Sequence, residues 1–574
     1  MSFIFSVFDR QKTVRSQRSG ANGDGAIAEF SDLMAFAGPA AGPDGIGGFG
    51  GGAGAFGFGP MAAAVTIKTV AAATKTTIAT VAAAATKAST VSATTSKLPT
   101  WVSSIKTTSI KTDVSAAVAD GTVSYAELVK VFGNLASSLT TSKSTLSATQ
   151  FADLKTFAAS LTSGVTTSSY LTSVTNALVN GSKANATWTG GAATAVTLGN
   201  LAAGSSATTL NRLVGKWFLG TDLPSSKVSM SGTSTFTVSY KSVAKPLFSA
   251  SGPVMNDVNQ GYLGDCYLLA GLSVVADQNA SAIKSMFTDN GNGTYGVRFY
   301  VNGAATFVTV DTNLANGGTI FNYCGSNLWA SLAEKAYAQL QASGVITGNI
   351  YNYGNSWSTI GNGGAPEYAL AQITGASQIT DFCAAKGSWT CNVYNASMKW
   401  VGGSSGLSNA SVLSTLIARI AAGDSVVLSS YTNAKDASGK TTLVSGHAMS
   451  IYGYNAATGN LQIRNPWGSA NGQTWATTFE ASLATLLAAG DVISVDNSRS
   501  GVMANVKTAS ATTTSTVRSF LDDELGALSA SSIDVGAALF AQSMATMPGD
   551  TAATTALVAS LAATPTLQLV SPLG

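Results

Sequence analysis

Only one block of this chain carries the patterning of a mixed core. Between residues 211 and 500 tryptophans and tyrosines are frequent, and strand and helix patterns are distinct. On both sides Ala, Ser, Thr and Gly dominate. A fold must bury contiguous apolar faces to offset chain entropy, so the organised core is expected inside this block. Residues 1–60 read as a disordered Gly-rich segment, with a Gly/Phe/Ala tract over 45–59 that has no apolar period. Residues 61–98 read as an Ala/Thr-rich spacer. Within it Thr69-Val70-Ala71-Ala72-Ala73-Thr74-Lys75 returns as Thr80-Val81-Ala82-Ala83-Ala84-Ala85-Thr86-Lys87, and the frequent Thr weakens helix propensity. Residues 99–210 form a helical N-terminal region, with apolar residues at helical spacing over Ser124–Leu135 and Ser147–Leu161. Residues 501–574 are an Ala/Ser/Thr-rich tail with one helix-like segment at Ser519–Leu528.

Charge restricts the partners. Charged residues are 10% of the 574, against roughly 25% in an average soluble protein. The net charge of +3 is spread without a basic run, so no nucleic-acid partner is expected. No transmembrane segment is expected either, because the best apolar stretch, Met61–Ala88, is interrupted by Lys68, Lys75 and Lys87. The first twenty residues place Arg10, Lys12, Arg15 and Arg18 after a short apolar start, the reverse of a secretory signal. Low charge with many small residues is the look of secreted bacterial proteins. The expectation is an extracellular location reached without a conventional signal peptide, with the cytoplasm as the alternative.

Four cysteines are present, Cys266, Cys324, Cys383 and Cys391. Reserving Cys266 for chemistry leaves an odd number, which argues against a disulfide framework, although Cys383 and Cys391 are close enough in sequence to bridge. Asp120-Gly121-Thr122-Val123-Ser124-Tyr125-Ala126-Glu127 resembles the second half of an EF-hand loop. The first and third ligand positions would fall on Ala116 and Val118, which cannot coordinate calcium, so a helix N-cap or turn is the expected reading.

The chemistry centres on the single histidine, His447, in Ser445-Gly446-His447-Ala448. Histidine is the first choice for general-base work near neutral pH. Cys266 lies in Gln260-Gly261-Tyr262-Leu263-Gly264-Asp265-Cys266, at a turn-to-helix junction. Gly261 and Gly264 suggest unusual loop backbone, and Tyr267–Ala276 reads as a buried helix. A cysteine at a helix N-terminus gains thiolate character from the macrodipole. The side-chain amide of Gln260, with the backbone N–H of Cys266, can hold an oxyanion. His447 opens a strand-like run through Tyr454, and Asn460–Arg464 forms a second run after a turn at 455–459. Asn465 then falls within reach of His447, where its amide oxygen would accept from Nδ1–H and turn Nε2 to the thiol. Trp467 would cover that bond.

These blocks resemble the calpain family of cysteine proteases. The segment from Gln260 to Ala270 is similar to that family's cysteine block, Gly446-His447-Ala448 to its histidine block, and Ile463-Arg464-Asn465-Pro466-Trp467-Gly468 to its asparagine block. Leu328–Ala338 and Val308–Asp311 resemble a helix and a strand of the same catalytic region. The resemblance spans roughly 245–500, with the blocks in order. It implies an α+β, papain-like fold of two subdomains over residues 211–500, with Cys266 on one and His447 and Asn465 on the other. The implied activity is endopeptidase hydrolysis of protein or peptide substrates through a Cys-His-Asn triad and an acyl-enzyme. Gln260 and Cys266 would serve the oxyanion, with Trp467 and Gly264 in support. The chemistry requires no cofactor, but calcium is a possible activator, for which Asp289, Asp311 and Glu367 are candidates by position only. Tyr267 stands where the animal family usually has Trp. The competing expectation is a catalytically silent module that acts as a protein-binding or secreted structural protein.

Overall fold

The computed structural model describes residues 98–230, 235–345 and 352–500. The Gly-rich start, the Thr/Ala repeat and the Ser519–Leu528 segment lie outside the described residues.

The N-terminal helices begin where serine stops the preceding turn. Thr108–Ala117, Tyr125–Ser142, Ala148–Ser160, Ser169–Val179 and Ala207–Val214 are helical. Ser124, Ser147, Ser168 and Ser206 cap four of them by accepting a backbone N–H of the first turn. Glu127 and Gln150 close capping boxes with Ser124 and Ser147. The EF-hand-like stretch is therefore a cap. Asp120 Oδ1 accepts from Thr122 N–H at 2.8 Å and Glu127 Oε2 from Ser124 N–H at 2.8 Å, so both carboxylates serve the backbone.

One apolar cluster unites these helices and runs on through Trp217, Phe218 and Leu219 to Phe307. Gly215–Leu219 is a π-helical turn directly following the last helix. It docks on the hairpin formed by Thr294–Val301 and Ala304–Asp311. Thr309 Oγ1 donates to Trp217 O at 2.5 Å, Tyr125 Oη donates to Phe218 O at 2.7 Å, and Tyr170 Oη meets Thr309 Oγ1 at 2.8 Å. The helical region is thus built into the body that follows it.

That body has two halves. The first is mostly helical. Cys266–Gln278, Trp329–Leu340 and Pro366–Thr374 share a core with the hairpin, and residues 266–276 are buried without a break. The second half is an eight-stranded antiparallel sheet. Its spatial order is Trp400–Leu407, Ser388–Asn395, Gln378–Ala385, Val492–Asp496, Val426–Ser430, His447–Asn455, Asn460–Arg464 and Thr478–Ala481. Its own apolar cluster includes Phe382, Trp389, Leu428, Met449 and Ile493. The mixture is α+β, as the patterning predicts.

Cys383 and Cys391 form no disulfide with each other. Cys383 pairs with Thr390 and Cys391 with Phe382, so neighbouring register positions send the two sulfurs to opposite faces of the sheet.

The halves meet where the helix Cys266–Gln278 lies against the strand His447–Asn455. Ser450 Oγ donates to Ala270 O at 2.8 Å, Gln278 Nε2 to Tyr452 O at 3.0 Å, and Gln260 N–H to Pro466 O at 2.8 Å. Arg464, 1% exposed, reaches from the sheet into the helical half, donating to Val258 O at 2.7 Å and Ser273 Oγ at 3.1 Å.

Candidate active site

The loop before Cys266 is held on both sides. Tyr262 N–H donates to Ile320 O at 2.9 Å, Gly264 N–H to Gly361 O at 3.1 Å, and Gly363 N–H returns to Gly264 O at 3.1 Å. Gly261 and Gly264 do not have positive φ, contrary to the expectation of unusual backbone. Gly261 is required by close approach: a Cβ there would lie 2.4 Å from Ile320 O and from Phe321 O. Gly446, just before His447, does need its freedom, with φ 74°.

Cys266 begins its helix and is 7% exposed. Across the junction Ala448 N–H donates to Cys266 Sγ at 3.4 Å. His447, 6% exposed, opens the facing strand. Its Nε2 lies 2.9 Å from Asn465 Oδ1. Trp467 N–H, which can only donate, reaches the same oxygen at 3.0 Å. This fixes the orientation of the Asn465 amide, so His447 Nε2 is the protonated nitrogen and Nδ1 is left as the acceptor. The expected assignment is thereby reversed: Nε2 meets the carboxamide, and Nδ1 remains for the thiol. The Trp467 ring lies against the imidazole, tilted by 38° with ring centroids 4.7 Å apart.

Burial governs the proton inventory. It pushes the Cys266 thiol up to about 12, against the Ala448 N–H, which lowers it, while the charge of Asp265 raises it further. Burial also pushes His447 down to about 4, opposed by the bond to Asn465. The helix N-terminus does not win: in this closed arrangement both groups are neutral at pH 7.

Gln260 is buried beside them, but its amide is turned inward. Nε2 donates to Leu263 O at 2.7 Å and, at 3.5 Å, to Asp265 Oδ1, while Oε1 has no hydrogen-bond partner. Donation to an oxyanion from this residue therefore needs a rotation of the side-chain amide.

The three metal candidates are not brought together. Asp289 Oδ1 accepts from Gly291 N–H at the edge of the hairpin. Asp311 is paired with Lys335 at 2.5 Å. Glu367 lies in the first turn of the helix Pro366–Thr374. Among the described residues no group of three His, Cys, Asp or Glu side chains could hold a metal ion. Calcium does not fit these residues as a ligand set.

Residues 236–483 match the family model for calpain family cysteine protease. Residues 236–483 belong to the calpain family. The chain is similar to calpain clp-4 of Caenorhabditis elegans, 29% identical over 242 residues, which cover 40% of this chain and 29% of that protein. It is similar to the calpain-2 catalytic subunit of Homo sapiens, 28% identical over 240 residues, 39% of this chain and 30% of the relative. Over a shorter stretch of 107 residues it is 35% identical to the calpain-2 catalytic subunit of Gallus gallus, 17% of this chain and 15% of the relative. The chain thus spans less than a third of the length of these curated relatives. The calpain-family region accounts for both halves of the site, and no helix among the described residues is long and apolar enough to cross a membrane.

Sequence reasoning missed three participants in this calpain-family region. The Ala448 N–H reaches the sulfur through backbone geometry, which no side-chain pattern announces. Arg464 joins the halves, and its signal was a charged residue at the end of a strand that alternates polar and apolar side chains. Glu334, buried, accepts the Asn322 N–H on both carboxylate oxygens; its signal was an acid in the middle of the buried helix Trp329–Leu340.

Proposed function

We propose that the calpain-family region is a cysteine endopeptidase in which Cys266 is the nucleophile, His447 the acid–base and Asn465 the orienting group. The observation that carries this reading is the junction itself: Sγ of Cys266 on the backbone N–H of Ala448, with the His447 ring oriented by Asn465 and flanked by Trp467. As sulfur attacks a substrate carbonyl, its proton passes to His447 Nδ1 and the carbonyl becomes an oxyanion. The backbone N–H of Cys266 receives that oxyanion, and Gln260 joins after its amide rotates. His447 then protonates the leaving amine, giving an acyl-enzyme. Water, deprotonated by the same nitrogen, releases the acid and returns the proton to sulfur. Because both groups rest neutral, charge separation accompanies attack rather than preceding it. Protein chains are the substrates this reading implies, and no step passes through calcium.

The test uses the full chain with an epoxysuccinyl inhibitor and an unfolded protein substrate, with calcium and with a chelator. Wild type should be modified at Cys266 and cleave the substrate, while Cys266→Ala does neither. Equal modification of both proteins would remove the nucleophile from the proposal. Binding of the substrate without cleavage would favour a silent, protein-binding module.

A further inference from the structure

A small cavity lies where the N-terminal helical region meets the helical half of the calpain-family region. Its volume is about 20 Å³, and Lys216, Asp222, Gln339 and Asn355 contribute to its wall. These side chains come from three separate segments. Lys216 belongs to the π-helical turn, and Asp222 follows three residues after that turn ends. Gln339 stands near the end of the helix Trp329–Leu340, and Asn355 precedes the short helix Trp357–Ile360. Asp222 is the hub. Its carboxylate is paired with Lys216 Nζ and accepts the Thr189 and Gly190 N–H groups at 2.7 and 2.8 Å. Its carbonyl oxygen accepts Gln339 Nε2 at 2.9 Å and Asn355 Nδ2 at 2.6 Å. A carbonyl oxygen can only accept, so both amides are fixed with their nitrogens toward Asp222. Gln339 Oε1 and Asn355 Oδ1 are then left buried without a partner, on residues 7% and 4% exposed. Lys216, also buried, carries three N–H donors, and among the described residues its one acceptor is Asp222 Oδ2.

Buried polar groups are nearly always hydrogen-bonded, and two orphaned oxygens in one wall point to a bound donor. We propose that the cavity binds a single ordered water, which accepts from Lys216 Nζ and donates to Gln339 Oε1 and Asn355 Oδ1. The chemistry of the wall selects this occupant. The Lys216 ammonium opposes a cation. Two amide oxygens and a carboxylate oppose an anion. A water offers two donors and an acceptor, the complement of what the wall presents, and needs a cavity of only about 10–15 Å³. Through it Lys216, already held by Asp222, is tied to the segments that carry Gln339 and Asn355. The second of these runs on through Trp357–Ile360 to Gly361, whose carbonyl accepts from Gly264 N–H in the loop before Cys266. The water is therefore a joint between the N-terminal region and the body that carries the thiol. This site lies outside the peptidase reading and stands without it.

The experiment pairs a high-resolution crystal structure of the full chain with magnetic relaxation dispersion of water deuterons in solution, on wild type and on Lys216→Arg. Wild-type density should show one peak at roughly 2.7–3.2 Å from each of Lys216 Nζ, Gln339 Oε1 and Asn355 Oδ1. No peak, or a peak that lacks any of these three contacts, would overturn the site. A heavier peak with oxygen contacts of about 2.4 Å would identify a metal ion and overturn it equally. Arginine keeps the charge for Asp222 and extends further donors in a rigid fork, so it should reach both amide oxygens directly and displace the water. Lys216→Arg should therefore fold and lose one long-lived internal water relative to wild type. An equal count in the two proteins would overturn the proposal. If Lys216→Arg does not fold, the wild-type density decides alone. None of these readouts uses catalysis, so failure of the peptidase assignment leaves the test intact.

Discussion

Arg464 is the side chain on which the alignment of the two halves can be tested most directly. It donates to Val258 O, to Ser273 Oγ and, at 3.3 Å, to Asn256 Oδ1. Burial lowers its affinity for its proton to about 10, with Asp257 and Asp277 opposing, so it remains charged at neutral pH. Arg464→Met keeps the length and removes the fork. Asn256 is exposed and recovers its bond from water, and Ser273 retains Met255 O. Val258 O, which is buried, loses the donor that Arg464 supplied. An orphaned acceptor costs about 1–3 kcal/mol, and each charge-assisted bond lost costs about 1.5–3 kcal/mol. Relief of the buried guanidinium's desolvation offsets part of that sum. The net expectation is about 3 kcal/mol, or a urea midpoint lower by about 1 M for a protein of this size. Arg464→Lys, which keeps charge but not the fork, should lose most of the same amount. Hydrogen exchange at the Gln260 and Ala448 amides, both of which cross between the halves, should accelerate in Arg464→Met. A stability within about 0.5 kcal/mol of wild type, with unchanged exchange at those amides, would refute the claim that this residue joins the halves.

With the thiol held near 12 and His447 near 4, alkylation of Cys266 by iodoacetamide should rise about tenfold per pH unit between pH 6 and 9; a plateau across that range would reveal a preformed thiolate–imidazolium pair instead. Phe218→Ala removes a fully buried ring packed on Phe132 and Tyr125, and thermal melts should report a loss of about 3–5 kcal/mol, with the helical region and the hairpin melting together. Gly261→Ala forces a methyl onto two carbonyl oxygens and should cost about 1–3 kcal/mol while altering the alkylation rate of Cys266; wild-type values for both would show that the loop has room. Asn465→Ala frees the His447 ring and should lower kcat far more than it raises KM, measured on a peptide substrate.

The elements themselves were legible. The apolar run after Cys266 predicts the buried helix found at Cys266–Gln278, and the alternation after His447 predicts the strand that ends at Asn455. Serines ahead of apolar periodicity mark the helix starts at Tyr125 and Ala148. The proximity of His447 and Asn465 was legible too, because a short hairpin fixes which residues face across it. Which ring nitrogen faces Asn465 was not, since that depends on the Trp467 N–H arriving at the same oxygen.

By itself, then, the order of residues determined the local elements, the identity of the thiol, imidazole and carboxamide, and the α+β character, because capping, periodicity and turn chemistry act over a few residues. Tertiary structure alone decided the protonation of the site, the inward turn of Gln260 and the bridging role of Arg464. Each of these depends on how completely water is removed from a group and on what arrives from a distant segment to replace it. Residues 182 positions apart meet at the Cys266 sulfur, and only the packed chain sets the dielectric that they share.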